Sequence, residues 1–188
     1  ILKNLYSVIK GNEQYIRFLF MTGVSKFSQV SIFSDLNHLT DITLDDNYAA
    51  LTGITEEELD AYFAENISEL QKKYNSQISN VRSYIRDEYL GYSWDGQTFV
   101  YNPFTLLTLF VKQQFGDFWF RSATPTFLMK LIKEQNYSAL DILEKTVSAS
   151  VLDKYEIEDI SIVPLLFQTG YLTIKEFDLL DRLYTLDY

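Results

Sequence analysis

The chain has 188 residues, 47% of them hydrophobic, which is enough for one medium domain or two small ones and too apolar for wholesale disorder. Its formal net charge of −10 sets the surface against phosphate backbones and disfavours direct nucleic-acid binding by this segment. There is no cysteine and a single histidine, His38, so disulfides, thiolate catalysis, Cys-ligated metal and a His-rich metal site are excluded. No apolar run approaches the ~18 residues that a membrane span needs. No secretory signal pattern is present, and a cytoplasmic location is expected. The sequence opens on Ile1 rather than Met and reads as an excised piece of a larger protein.

In chain order, the apolar spacing of Leu2, Leu5, Tyr6 and Ile9 predicts a helix over 1–10, stopped by Gly11. Residues 15–21 are β-branched and aromatic enough for a buried strand, which ends at the small-polar turn Thr22-Gly23 with Lys26 just beyond. Residues 31–39 are expected to form a short helix or ordered loop, and 41–51 a polar loop. Thr55 and Glu58 make a capping box, Glu56, Glu57 and Glu58 favour the positive end of a helix dipole, and Leu59, Phe63, Ile67 and Leu70 continue one apolar face. That helix is expected to run to about Tyr74, and a second to cover 76–89.

Further along, Asp95-Gly96 marks a tight turn within a break over 91–96. Asn102-Pro103 and Thr124-Pro125 are helix starts, predicting helices over 103–113 and 125–135. A short helix is expected over 138–145, and 147–157 is ambiguous between types. Residues 161–168 read as helical with Pro164 in the first turn and Gly170 as the cap. Residues 171–175 and 179–184 alternate like the two strands of a hairpin. A weak boundary lies near 44–55.

The P-loop pattern G-x-x-x-x-G-K-[ST], which cradles phosphate, is absent. Gly23-Val24-Ser25-Lys26 has a glycine and a lysine without the spacing. No Glu-x-Lys or Asp-x-Lys tripeptide occurs, so a PD-(D/E)XK nuclease centre is not in this chain. Asp45 and Asp46 at the end of Ile42-Thr43-Leu44 can be read as metal-binding carboxylates, but a loop is the favoured reading and no metal site is expected. Ser34, His38 and nearby Asp35 and Asp41 lack the nucleophile-elbow pattern, so catalysis by His38 is not expected. Glu156, Glu158 and Asp159 read as a solvated helix start.

Thr22, Ser25 and Lys26 remain. If 16–21 is a central strand, these residues emerge at its carboxyl edge, where a hydroxyl can place a phosphate oxygen and a cation can offset charge on a γ-phosphoryl group. From spacing alone, an ordinary polar turn with one exposed lysine is favoured.

Four blocks carry a resemblance. They are Thr22-Gly23-Val24-Ser25-Lys26-Phe27 with Ser31-Ile32-Phe33-Ser34-Asp35-Leu36-Asn37; Asp41-Ile42-Thr43 through Tyr48 and Gly53 to Thr55-Glu56-Glu57-Glu58-Leu59; Tyr101-Asn102-Pro103-Phe104 through Phe118-Trp119-Phe120 to Thr124-Pro125-Thr126-Phe127-Leu128; and 165–174, read LLFQTGYLTI. In this order they resemble the AAA-ATPase-like family of predicted bacterial ATP-binding proteins, many of which carry a PD-(D/E)XK-type nuclease domain further along. Leu90, in Tyr89-Leu90-Gly91-Tyr92, stands where the family often has a polar residue, and Arg121 and Ala123 also depart from its usual pattern.

In the family, the Walker A loop and Walker B acid precede the matched region. The resemblance therefore implies a mainly α fold with a small β component: a helical lid and winged-helix-like bundle, one residual ATPase-core strand and a C-terminal hairpin. Residues 1–50 would be the end of the AAA-like core with its sensor turn, and 51–188 the helical lid and winged-helix-like region. Lys26, with Thr22 or Ser25, would sense nucleotide state. The parent protein would use ATP and Mg2+, whereas this piece would hold no cofactor and would not hydrolyse ATP alone. Its implied partners are the P-loop region of the same protein, a downstream nuclease domain and, through open edges of the strand over 16–21, another copy or a covering helix. No membrane partner is implied. The competing expectation is a helical protein-interaction module with no nucleotide role.

Overall fold

The structure, a computed structural model, describes residues 2–23, 39–118, 145–152 and 162–187. Helix α1 (Leu2–Gly11) opens the chain and a single 3-10 turn, Glu13–Tyr15, follows it. Residues 16–23 then continue without forming a strand. Ile16, Phe18, Phe20 and Met21 are all exposed, with Phe18 at 80%. This overturns the expected ATPase-core strand. Aromatic and β-branched composition favours a strand only where a neighbour completes its hydrogen-bond ladder, and among the described residues none pairs with this stretch. The only ring contact between its aromatics is local, Phe18 on Phe20 at 6.4 Å.

The central region is built on capped helices. Thr55 accepts from Glu58 N while Glu58 reaches back to Thr55 N, closing the capping box of α2 (Glu56–Tyr62). The long helix expected over this region is two. Phe63, at φ −119°, ends α2 and starts α3 (Ala64–Tyr74), and its ring stacks on Phe110 at 5.1 Å. Helix α4 (Val81–Tyr89) begins later than expected, at Asn80, whose side chain accepts from Ser83 N. The intervening turn is held by the Gln71 amide, which donates to Ile78 O and accepts from Val81 N.

Strands β1 (Leu90–Ser93) and β2 (Phe99–Tyr101) form an antiparallel hairpin around Asp95-Gly96, the turn expected there, although the flanking strands were not. Asn102 caps α5 (Pro103–Lys112), with Pro103 in the first turn and Gln113 left-handed at its end. Leu59, Leu70, Val81, Ile85, Tyr101, Leu106 and Leu109 are fully buried together as the first core. Strand β2 also touches the preceding loop through Ile54, which bridges Tyr101.

Strand β3 (Thr146–Ser148) leads into the short helix α6 (Ala149–Leu152). Helix α7 (Ile162–Gln168) closes with Gly170 at φ +81°: Gly170 N donates to Phe167 O and Tyr171 N to Leu166 O, the paired bonds of a left-handed helix stop. Strands β4 (Thr173–Asp178) and β5 (Leu183–Asp187) pair antiparallel, and β5 is central in a three-stranded sheet ordered β3-β5-β4. This sheet packs on α7 through a second core that includes Val147, Leu152, Ile162, Phe167, Ile174 and Leu186.

The described architecture is therefore mixed α/β, with two small antiparallel sheets and two cores. The mainly α lid and winged-helix-like bundle with one residual core strand is corrected. The strand content comes from residues 90–101 and 146–187, where short segments find antiparallel partners, and not from 15–21. The helices expected over 125–135 and 138–145, the segment 31–39 and much of 147–157 lie outside the described residues, except Leu39, Lys145 and the parts within β3 and α6.

Candidate functional site

Of the three sensing candidates, Thr22 is exposed beyond the irregular stretch that follows α1. Ser25 and Lys26 lie outside the described residues, as does His38. The structure thus gives no mutual geometry for the sensing group.

Three polar constellations are defined elsewhere. The first joins α2, α4 and β2. Glu56 and Asp60 lie one helical turn apart on α2, and Arg82 and Arg86 one turn apart on α4. Arg82 Nε donates to Asp60 Oδ1 at 2.5 Å, and its Nη2 pairs with both Asp60 and Glu56. Its Nη1 donates to Tyr101 Oη at 3.1 Å, and that hydroxyl donates to Glu56 Oε1 at 3.1 Å. Arg86 Nε sits 3.3 Å from Glu56 Oε1.

These contacts explain the shifted protonation equilibria. The hydrogen bond from Arg82 is the main cause that holds Asp60 below the usual carboxylate range. The same bond is the main cause that raises Arg82. Burial pushes Tyr101 up to about 12, with Arg82 opposing and Glu56 adding to the rise. Both carboxylates are occupied by arginine, so neither is a free proton acceptor. The constellation is a tie between elements, not a general-base site.

The second constellation fastens the β1–β2 turn to the C-terminal sheet. Asp95 accepts from Gln97 N at 2.8 Å, Thr98 N at 2.7 Å, Thr98 Oγ1 at 2.8 Å and Ser93 Oγ at 3.0 Å. Ser93 N donates to Thr173 Oγ1 at 2.7 Å, which in turn donates to Ser93 O. Beside it, Tyr92 Oη donates to Phe167 O, and Trp94 packs edge-on against Phe167. Burial raises the Tyr92 phenol well above its ordinary value, consistent with a neutral donor in this packing.

The third is a shallow cleft of about 260 Å³ lined by Asp41, Thr43, Leu44, Asp45, Ala149 and Tyr184. Its carboxylates serve local turns: Asp41 accepts from Thr43 N and Oγ1, and Asp45 from Asn47 N and Nδ2. Asp45 caps the 3-10 turn Asp46–Tyr48, so Ile42-Thr43-Leu44 is a loop rather than a strand ending in metal-binding acids. Among the described residues no group of three His, Asp or Glu side chains is placed to hold a metal ion.

Sequence reading missed the Arg82 tie. Glu56 was explained by its helix start alone, yet its spacing to Asp60 matches the Arg82-to-Arg86 spacing. Two acids and two arginines at equal helical intervals are the signal that could have revealed it.

Residues 1–33 match the AAA-ATPase-like family, described as predicted AAA-ATPases. That match supports an AAA-ATPase-like assignment for this stretch. The uncharacterized protein in the vnfD 5′ region of Azotobacter chroococcum mcd 1 is 45% identical over 175 residues, which cover 93% of this chain and 32% of the relative. The chain thus spans about a third of the length of that curated relative. No solved structure matches it. Among the described residues no helix is long and apolar enough to cross a membrane.

Proposed function

We propose that this chain is a non-catalytic, nucleotide-sensing part of a P-loop ATPase. The observation that carries the reading is the position of the family match: residues 1–33 contain Thr22, Ser25 and Lys26. In this reading Lys26 meets the γ-phosphate, with Thr22 or Ser25 placing a phosphate oxygen or a water. The rest of the parent polypeptide holds ATP and Mg2+ through its Walker loops, since a phosphate cradle is lacking in this sequence. The mixed α/β body carries the state of the turn to neighbouring parts, a downstream nuclease domain among them.

The test is steady-state ATP turnover and nucleotide affinity of the intact parent protein carrying Lys26→Ala. A sensor lysine that stabilises transferring charge predicts turnover lowered by about 10²-fold with the nucleotide still bound. Smaller losses are expected for Thr22→Ala and Ser25→Ala. Unchanged turnover and affinity in Lys26→Ala would remove the sensing role.

A second reading is a protein-interaction module with no nucleotide role. Exposure of Tyr15, Phe18 and Phe20 along one short stretch favours it, because clustered exposed aromatics mark contact surfaces. It predicts that Phe18→Ser leaves ATP turnover of the parent intact while weakening a protein complex.

A further inference from the structure

The two cores are separate clusters: among the described residues, no buried side chain belongs to both. Strand β1 nevertheless takes part in each. Leu90, at its start, packs on the first core and pairs in register with Tyr101. The residues that follow turn to the C-terminal unit of β3, α6, α7, β4 and β5. Tyr92 Oη donates to Phe167 O at 3.3 Å, and Trp94 packs edge-on against Phe167 at 5.8 Å. Between them, Ser93 exchanges two hydrogen bonds with the Thr173 hydroxyl, at 2.7 and 3.1 Å. Leu44, in the loop before α2, makes a further apolar contact with the second core.

The two sheets are each closed by backbone ladders, and β1 and β4 belong to different sheets. At Ser93 one side-chain hydroxyl stands in for a ladder between them. It accepts from Ser93 N and donates to Ser93 O, and both residues are buried. Opening this contact lets water reach all three groups, whereas deleting the hydroxyl leaves a buried amide and carbonyl unpaired. Each ladder holds its own sheet together. The boundary between the sheets is therefore where a partial opening sacrifices little backbone bonding. Polar boundaries between packed units also permit relative motion more readily than large apolar ones.

We propose that the C-terminal unit opens as a body from the first core while that core stays folded, and that Thr173 is the latch that holds it on β1. Opening uncovers Trp94, Phe167 and the polar groups of Ser93. The inference does not depend on nucleotide sensing, because both cores and the latch lie beyond residues 1–33.

The test is native-state amide exchange of the full chain at increasing urea. The Leu172 and Leu186 amides, bonded to Leu166 O and Lys145 O, report on the C-terminal unit. The Leu59 and Tyr101 amides, bonded to Thr55 O and Ile54 O, report on the first core. The C-terminal pair is expected to exchange through a smaller opening, with a shallower urea dependence than the first-core pair. Thr173→Val is expected to speed Leu172 and Leu186 about 10-fold. Trp94→Leu is expected to speed them too, although it leaves every residue of the C-terminal unit intact. Ile85→Val, in the first core, is expected to speed Leu59 and Tyr101 about 3-fold and to leave Leu172 and Leu186 at the wild-type rate. Equal urea slopes for the two pairs, or equal acceleration of both pairs by Ile85→Val, means one indivisible unit and overturns the proposal. Unchanged exchange at Leu172 and Leu186 in Thr173→Val and in Trp94→Leu overturns the latch.

Discussion

Arg82 of α4 and Asp60 of α2, 22 positions apart in sequence, are joined by a guanidinium–carboxylate contact with Nε 2.5 Å from Oδ1. The same guanidinium holds Glu56 and the hydroxyl of Tyr101, so one side chain ties two helices and a strand over the first core. Arg82 is about one-quarter exposed and Asp60 mostly exposed, which places the tie between a surface pair and a buried one.

Replacing Arg82 by Ala takes the cationic partner from Asp60 and the Tyr101 hydroxyl and leaves Glu56 with Arg86 alone. The expected loss is about 1–2 kcal/mol, read as a lower urea midpoint with unchanged slope. Arg82→Lys recovers only part of it, since an ammonium cannot fork between Asp60, Glu56 and Tyr101. Equal stability of Arg82→Ala and wild type would show that the tie contributes nothing net.

Tyr101 makes the same region sensitive to alkali. Its phenol titrates at about 12 in the folded protein, chiefly through burial, against an ordinary value of 10.0. A phenol with a raised folded value contributes stability that is complete below pH 10 and is lost as pH rises toward 12. Tyr101→Phe is expected to flatten that part of the stability profile without abolishing it, because burial also raises Tyr92 and Tyr89. An unchanged alkaline slope in Tyr101→Phe would rule out its share.

What was legible in the sequence was local. The Thr55–Glu58 capping box, the Asn102-Pro103 start and the Gly170 stop each place donor and acceptor within a few residues, so neighbours in sequence state the bond. What depends on distant partners was not legible. Residues 15–21 have strand composition without a ladder, while β1 and β2, only four and three residues long, gain theirs from each other. Ser93 and Thr173 meet only after both sheets are in place. Of the sensing group, only Thr22 falls among the described residues, and its exposed position by itself assigns no chemistry.

Acid should loosen the Asp95 turn. Burial pushes this carboxyl up, but the hydrogen bonds from Thr98, Gln97 and Ser93 together outweigh it and hold Asp95 below its ordinary 3.8. A depressed folded value gives stability that is present above about pH 4 and lost as pH falls through the folded value. Asp95→Asn cannot accept from Thr98 Oγ1 in the same way. It should cost about 1 kcal/mol at neutral pH and make the decline below pH 4 shallower, as followed by denaturation at fixed pH values. An identical acid profile for the variant would discard the assignment.

Two glycines fix the close approach of neighbouring elements. At Gly96, φ is +77° and an added Cβ would lie 3.0 Å from Glu176 Cα, where the turn meets β4. At Gly53 an added Cβ would lie 2.3 Å from Val100 Cβ, beside the Ile54–Tyr101 bridge. Neither neighbour is the free end of a flexible side chain, so backbone has to move. Gly96→Ala combines a left-handed backbone with that clash and is expected to cost about 1–3 kcal/mol. Gly53→Ala is expected to cost a similar ~1–3 kcal/mol through overpacking alone. The two should differ in amide exchange. Gly96→Ala should raise exchange at the Ser93 amide that donates to Thr173, whereas Gly53→Ala should raise it at the Ile54 and Tyr101 amides. Either variant matching wild type in melting temperature and exchange would mean that the close approach is not maintained in solution.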